Sequence, residues 1–124
     1  MTTGKKYNLP ILALPKGIVT FPGLIVPLVV NDKQSVKMIN DVLSGDKILA
    51  LFAVKEPAES QLEYVDTLYH IGCRTLILKM LRLPDGTMKC LVQSISRIKL
   101  EEISQQEPYP VARVVELDDD VLHD

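Results

Sequence analysis

The apolar residues of this chain fall into short runs that are separated by proline, glycine and acidic residues. The clearest pair of runs lies in Met80–Val92, where two apolar-rich segments flank Pro84, Asp85 and Gly86. Proline favours the first turn position, aspartate accepts a hydrogen bond from the nearby backbone, and glycine adopts a positive φ. This pattern predicts a β-hairpin with a type I turn followed by a glycine bulge.

The turn also predicts the register of the hairpin. The predicted pairs are Leu83 with Thr87, Met80 with Cys90, Leu78 with Val92, and Ile77 with Gln93. One predicted face carries Leu76, Leu78, Met80, Met88, Cys90 and Val92, and the other carries Ile77, Leu81, Leu83, Leu91 and Ile95. Both faces are apolar, unlike those of a hairpin with one solvated side. Either other elements cover both faces, or one face is open to a partner.

The other runs predict a mostly-β domain. Strands are predicted at Leu9–Leu14, Leu24–Val30, Lys47–Val54, Leu68–Leu83, Thr87–Leu100 and Val111–Leu117. Pro10 and Pro27 are typical of sheet edges or bulges, because proline cannot donate to a strand ladder. The third predicted strand is almost continuously apolar, which is typical of a strand covered on both faces. The predicted fold class is α+β, mostly β, with about six strands in a barrel-like arrangement and one main helix.

Four features interrupt these strands or separate them. Gly72 predicts a bend or bulge in the fourth strand. Ser94-Ile95-Ser96 predicts that the fifth strand bends or changes partner, because it breaks the apolar alternation. Glu56–Asp66 and Glu101–Pro110 are polar and contain proline, so we expect surface loops there.

A single helix is predicted over Asn31–Ser44. Asn31 is a suitable N-cap, with Gln34 three residues on as in a capping box, and Gly45 ends the helix. The apolar stripe of this helix consists of Val36, Ile39, Val42 and Leu43.

Composition and charge narrow the class of protein. The 124 residues suit one domain with its own core. The formal net charge is −2, the pI is about 5.7, and the basic residues are scattered, which argues against a nucleic-acid binder. Cys73 and Cys90 are separated by about 23 Å in the predicted register, too far for a disulfide, so we expect buried, reduced thiols and a cytoplasmic location.

The sequence lacks the patterns that carry catalysis. It contains no glycine-rich phosphate loop with Lys and Ser/Thr, and nothing that resembles a nucleophile elbow. His70 and His123 are too far apart in the sequence to suggest a zinc site, and we expect His70 to be structural. Asp118–Asp120 is expected to be a solvated end rather than a cation site. We therefore predict no enzymatic activity for this chain alone and no cofactor or metal.

Several blocks of sequence resemble the N-terminal domain of the ATP-dependent Lon protease family. The blocks are Leu9–Pro15 (LPILALP), Phe21-Pro22-Gly23, Asp66–Gly72 (DTLYHIG) and Met80–Thr87 (MLRLPDGT), followed by Lys89 and Arg97. Their order and spacing are more specific than the Pro-Asp-Gly turn alone. Two positions depart from the family pattern: Gln93-Ser94 stands where Glu-Gly is common, and His70 stands where an aliphatic residue is frequent. These departures concern only local strand geometry.

The resemblance implies a PUA-like pseudo-barrel at residues 9–117 that recognises unfolded or damaged proteins. It also implies self-association, with a hexamer expected in a full-length protein, and downstream ATPase and serine–lysine protease modules. We expect residues 1–8 to be a flexible N-terminus, and residues 118–124 to be an acidic end leading to those downstream domains. Two alternatives remain: a purely structural oligomerisation domain, or a PUA-like RNA-binding module, which the acidic balance disfavours.

The resemblance and the hairpin pattern together suggest where an unfolded protein would bind. Unfolded chains expose apolar side chains, and a flexible, polarizable methionine adapts to many of them. We expect the candidate contact residues to lie at the hairpin tip and just after the Pro22-Gly23 turn. They are Leu24, Ile25, Met80, Leu81, Leu83 and Met88.

Overall fold

The computed structural model describes residues 4–14, 20–54 and 68–117. Within these residues the protein contains six strands and one helix, which confirms the predicted mostly-β fold class. The elements are β1 (Lys6–Leu14), β2 (Ile25–Val30), α1 (Lys33–Leu43), β3 (Ile48–Val54), β4 (Leu68–Arg82), β5 (Met88–Gln105) and β6 (Val111–Glu116). The predicted acidic loop at Glu56–Asp66 and the predicted acidic end at residues 118–124 lie outside the described residues.

The six strands form one mixed sheet that curls into a ring-like pseudo-barrel. The strand order is β2-β5-β4-β3-β1-β6, and an additional pairing of β5 with β6 closes the ring. All strand pairs are antiparallel except β1 with β3. This parallel pair needs a long crossover connection, which β2 and α1 provide.

β5 belongs to two parts of the ring. Its first half pairs with β2 as far as Gln93, and its second half pairs with β6 from Ile98 onward. Opposite β4, Ser94 pairs with Thr75 and Ser96 pairs with Arg74, so the residue between the two serines forms a bulge. The change of partner predicted at Ser94-Ile95-Ser96 is therefore confirmed.

β3 separates two apolar cores. Leu49 and Leu51 belong to the first core, whereas Ala50 and Phe52 belong to the second. All four side chains are fully buried, which confirms that this strand is covered on both faces. The first core also contains Leu12, Leu14, Leu28, Val30, Met38, Ile39, Val42, Ile77, Met88, Cys90 and Val92. The second also contains Leu9, Ile11, Ile98, Leu100, Ala112 and Val114.

The helix begins one residue later than the sequence predicts. Its N-cap is Asp32, which has an extended backbone conformation. The Asp32 carboxylate accepts a 2.9 Å hydrogen bond from the N–H of Ser35 in the first turn. The prediction of Asn31 as the cap is therefore wrong, because either residue type can cap and only the backbone geometry decides between them. Met38, Ile39 and Val42 are buried on the helix face that covers the first core.

Two strand boundaries differ from the prediction by more than one residue. β1 begins at Lys6 rather than Leu9, because its first residues pair with β6, Lys6 lying opposite Val115. β5 continues to Gln105, so it includes the first half of the segment Glu101–Pro110 that was predicted to be a loop. Its polar end stays in the ladder because Glu102 pairs with Arg113 in the strand register and also forms an ion pair with it.

Gly72 of β4 lies in close contact with β3. A Cβ added there would lie 2.1 Å from the carbonyl oxygen of Leu51 and 2.6 Å from Cδ1 of Phe52, so no side chain fits. The register between β3 and β4 also shifts next to this position, between the pairs Phe52–Gly72 and Val54–Leu68. The irregularity predicted at Gly72 is therefore confirmed.

Candidate functional site

One side of the three strands β2, β5 and β4 carries large aliphatic side chains that face solvent. We call this surface the outer apolar face, and its members are Ile25, Val29, Leu78, Leu81, Leu91 and Ile95. Their side chains are between 37% and 59% exposed. Adjacent exposed aliphatic residues of this kind mark a surface suited to contact with a partner.

The register of the strands explains why these side chains share one side of the sheet. Residues directly opposite one another in an antiparallel ladder point to the same side. Two neighbouring rows across β2, β5 and β4 are Val29-Lys89-Leu81 and Pro27-Leu91-Lys79. The two rows place Val29, Leu81 and Leu91 close together at the centre of the outer apolar face.

A bulge in β4 determines which of two neighbouring residues is exposed. The register shifts between Ile77 and Lys79, so Ile77 lies opposite Val92. The prediction that Leu78 faces Val92 is therefore wrong, because a constant register cannot anticipate an extra residue in one strand. The predicted pair of Ile77 with Gln93 is wrong for the same reason. As a result Ile77 is buried in the first core and Leu78 lies on the outer apolar face.

Beyond the bulge, the hairpin follows the predicted register to its tip. Met80 pairs with Cys90, and the N–H of Leu83 donates a 2.8 Å bond to the carbonyl oxygen of Thr87. Gly86 has a φ of 92°, as the predicted glycine bulge requires. The Asp85 carboxylate accepts a 2.9 Å bond from the N–H of Thr87, and this bond is the main cause that lowers the pKa of Asp85.

The six predicted contact residues lie in different environments. Ile25 and Leu81 are exposed and belong to the outer apolar face. Leu24 and Leu83 are half-buried, and Met80 is half-buried with its side chain packed against the first core. The structure therefore brings only two of the six residues together on an open surface.

Met88 does not belong to that surface. It pairs with Arg82 and Val30, is fully buried, and forms part of the first core, where α1 also contributes. Met88 was predicted as a contact residue, but its side chain is not accessible to a partner in this structure, because it lies on the side of the hairpin that faces the first core. The guanidinium group of Arg82 lies on the same side and donates a 2.8 Å bond to Oδ1 of Asn40, which ties the hairpin to the helix.

Four members of the outer apolar face were not among the predicted contact residues. They are Val29, Leu78, Leu91 and Ile95. The sequence pattern assigns Leu91 and Ile95 to one hairpin face together with Leu81, and this assignment indicates the same surface. Ile25, Pro27 and Val29 occupy alternate positions of β2 and therefore lie on the same side of the strand. This alternation indicates that Val29 belongs with Ile25 among the contact residues.

The described residues do not assemble chemistry that suits catalysis. Among them, no group of three or more His, Cys, Asp or Glu side chains could hold a metal ion. Cys73 and Cys90 are both buried, and burial raises the pKa of the Cys90 thiol, which makes it a poor nucleophile. The side chain of His70 lies outside the described set, as does His123. In the described part of the chain, no helix has the length and apolarity needed to cross a membrane.

A cleft of about 290 Å³ lies between the end of β1, β2 and the first turn of α1. Two polar side chains that line it are already engaged within the fold. Asp32 accepts from the N–H of Ser35, and Gln34 donates a 3.1 Å bond to the carbonyl oxygen of Pro108. These groups hold the start of the helix, so we assign the candidate site to the outer apolar face rather than to this cleft.

Comparison with known proteins gives one consistent family. Residues 8–124 match the family model described as the ATP-dependent protease La (LON) substrate-binding domain. The chain is 35% identical over 113 residues to Lon protease of Dictyoglomus thermophilum, covering 91% of this chain and 14% of that protein. It is 39% identical over 106 residues to Lon protease of Roseiflexus castenholzii, covering 86% of this chain and 13% of that protein. The chain therefore spans about one seventh of the length of these relatives.

Two solved structures share the fold. The Lon N-terminal domain protein from Xanthomonas campestris superposes with a TM-score of 0.70 at 14% identity, covering 90% of this chain and 60% of that one. The N-terminal domain of Mycobacterium avium complex Lon protease gives a TM-score of 0.64 at 18% identity, covering 90% of this chain and 55% of that one. At these identities the likeness concerns the fold alone.

Proposed function

Because the chain belongs to the family of Lon substrate-binding domains, we propose that it binds unfolded or damaged protein chains through the outer apolar face. The observation that carries the proposal is the exposure of six large aliphatic side chains on one side of β2, β5 and β4. An unfolded chain differs from a folded protein chiefly in exposing its apolar side chains. A surface that binds such chains must therefore offer apolar area without demanding one sequence.

The shape of the surface suits this task. The side chains of the outer apolar face are exposed, so extended segments of many sequences can contact them. The aliphatic residues are held on paired strands, so little ordering of the receptor is needed on binding. A small surface of this kind gives weak affinity for each segment. We propose that self-association of several copies strengthens binding by presenting several such faces to one chain.

Substrate binding and catalysis are divided between different parts of the longer protein in this proposal. The named relatives are proteases, and this chain corresponds to about one seventh of their length. Within such a protein the chain would hold a substrate, whereas ATP hydrolysis and peptide cleavage would occur elsewhere. We propose a cytoplasmic location for this activity, in keeping with the expectation of reduced cysteines.

The binding test uses a fluorescently labelled, unfolded casein and measures anisotropy against concentration of the 124-residue chain. The variant that carries Leu81→Ser and Leu91→Ser removes two central residues of the outer apolar face. We expect its affinity to fall about tenfold or more, as happens when central interface residues are truncated.

The matched control is Ile71→Ser. Ile71 lies in the same strand as Leu81 and is 41% exposed, but it pairs with Lys99 at the far end of β4. We expect this variant to bind casein as the parent does. Equal binding by the parent and the double variant would overturn the proposal.

The same variants test the structural alternative. If the double variant loses self-association in size-exclusion chromatography but still binds casein, the outer apolar face joins copies of the chain instead of binding substrates. An RNA-binding role has less support, because the central part of this face offers only two cationic side chains, Lys79 and Lys89, among the described residues.

A further inference from the structure

Two lysines interrupt the centre of the outer apolar face in a regular way. Lys89 lies opposite Leu81 and Lys79 lies opposite Leu91, so leucine and lysine alternate along both strands and across them. The two lysines are diagonal neighbours, about 7–8 Å apart in such a ladder. Both are exposed, and their flexible stems allow the two ammonium groups to converge on one point above the sheet.

Neither lysine is neutralised within the described part of the chain. The ion pairs among the described residues lie at other places on the surface. They are Lys6–Glu101, Lys37–Asp41, Arg74–Glu116, Arg113–Glu101 and Arg113–Glu102. Asp85 is the nearest described carboxylate in sequence, and it is held in the turn by the N–H of Thr87. Among the residues that the structure describes, the centre of the outer apolar face therefore carries positive charge only, although the chain as a whole has a net charge of −2.

We propose that the outer apolar face selects unfolded segments in which an aspartate or glutamate stands among apolar residues. The carboxylate binds between the ammonium groups of Lys79 and Lys89. The neighbouring apolar side chains of the segment pack on Leu81, Leu91 and Val29. This selectivity rests on the proposed function and adds a charge preference to it, because complementary charge discriminates between partners that apolar contact alone would accept equally.

The surroundings of the two lysines favour a peptide over other anionic partners. A nucleic-acid backbone requires several cationic contacts along a track, and here leucine occupies the alternate positions of both strands. A peptide segment can use both kinds of position, since its apolar side chains and its carboxylate are only a few ångströms apart. The alternation thus matches a segment of mixed apolar and acidic composition.

The test compares three short labelled peptides that share the same leucines and differ at one central position, which is Asp, Asn or Lys. We expect the Asp peptide to bind the 124-residue chain about three- to tenfold more tightly than the Asn peptide, and the Lys peptide to bind most weakly. We expect the difference to disappear at about 1 M salt, where the screening length is about 3 Å.

The variant that carries Lys79→Gln and Lys89→Gln should bind the Asp and Asn peptides equally, at the affinity that the parent shows for the Asn peptide. The control carries Lys33→Gln and Lys37→Gln, which removes the same charge from the exposed side of α1 and should keep the preference.

Equal binding of all three peptides by the parent would overturn the charge preference and leave the proposed function standing. Absence of binding by all three would overturn both. Equally tight binding of an RNA oligonucleotide that depends on Lys79 and Lys89 would also overturn the peptide proposal.

Discussion

The two sides of β2, β5 and β4 have similar apolar content and opposite environments. On the inner side, Met88, Cys90 and Val92 are buried beneath α1 in the first core. On the outer side, the same strands carry Leu81 and Leu91, which are exposed. An apolar strand face therefore does not by itself indicate burial. Side chains from β1, β3 and α1 pack with the inner side in the first core, and the outer side remains exposed.

The largest expected effect distinguishes the inner side from the outer side. Met88→Ala should lower the free energy of unfolding by about 2–5 kcal/mol, because it removes a fully buried side chain and leaves a cavity. Urea denaturation followed by circular dichroism measures this change. A loss below about 0.5 kcal/mol, the size of an ordinary surface effect, would show that Met88 is not a core residue.

A smaller change tests whether the helix is what covers the inner side. Ile39 is fully buried in α1 and packs in the same core. Ile39→Val removes one methylene group there and should cost about 0.5–1.5 kcal/mol, again measured by urea denaturation. The control is Lys33→Ala on the exposed side of α1, which should change stability by less than about 0.5 kcal/mol. A neutral Ile39→Val variant would mean that the helix does not seal the inner side.

The smallest expected change in stability belongs to the outer side. Leu81 is 59% exposed, so Leu81→Ala should alter the free energy of unfolding by less than about 0.5 kcal/mol. Casein binding by the same variant should nevertheless weaken, since the exposed leucine contributes to the proposed contact. A large loss of stability without a loss of binding would reverse the roles assigned to the two sides.

The turn that joins β4 and β5 contains Asp85, whose protonation a pH titration can follow. The bond from the N–H of Thr87 lowers the pKa of Asp85 below its ordinary value of 3.8. A depressed pKa in the folded state means that the carboxylate stabilises the turn at all pH values above the unfolded pKa. This stabilisation is lost as the pH falls through the folded pKa.

The chemical shift of the Thr87 amide reports this loss directly. We expect its acid transition to have a midpoint below 3.8 and to be absent in Asp85→Asn, whose amide oxygen can still accept the bond but does not titrate. A midpoint at or above 3.8 would mean that the carboxylate does not hold the turn.

Much of this fold could be predicted from local sequence chemistry. The Pro84-Asp85-Gly86 turn indicated the hairpin and its register near the tip, because each residue type has one favoured turn position. The apolar run in β3 indicated a strand buried on both sides. These features depend on residues that are close together in the sequence, so composition and spacing were enough to find them.

The remaining features depend on contacts between distant segments. The bulge that exposes Leu78 has no local signal in β4, and it shifts the register of the pair with β5. The burial of Met88 follows from the place of α1, which no pattern within the hairpin reveals. For this reason the sequence indicated that the hairpin had two apolar faces but could not indicate which methionine or leucine was exposed.

The most direct test of the account is a methyl NMR titration of the 124-residue chain with unfolded casein. The central claim is that substrate segments bind the outer apolar face and leave the two cores closed. We expect methyl shifts and line broadening at Val29, Leu81 and Leu91, with unchanged signals from Ile98 and Val114 of the second core. Shifts at Leu12, Ala13 and Leu28 of the cleft without shifts at Leu81 and Leu91, or shifts spread evenly over both cores, would contradict this proposal.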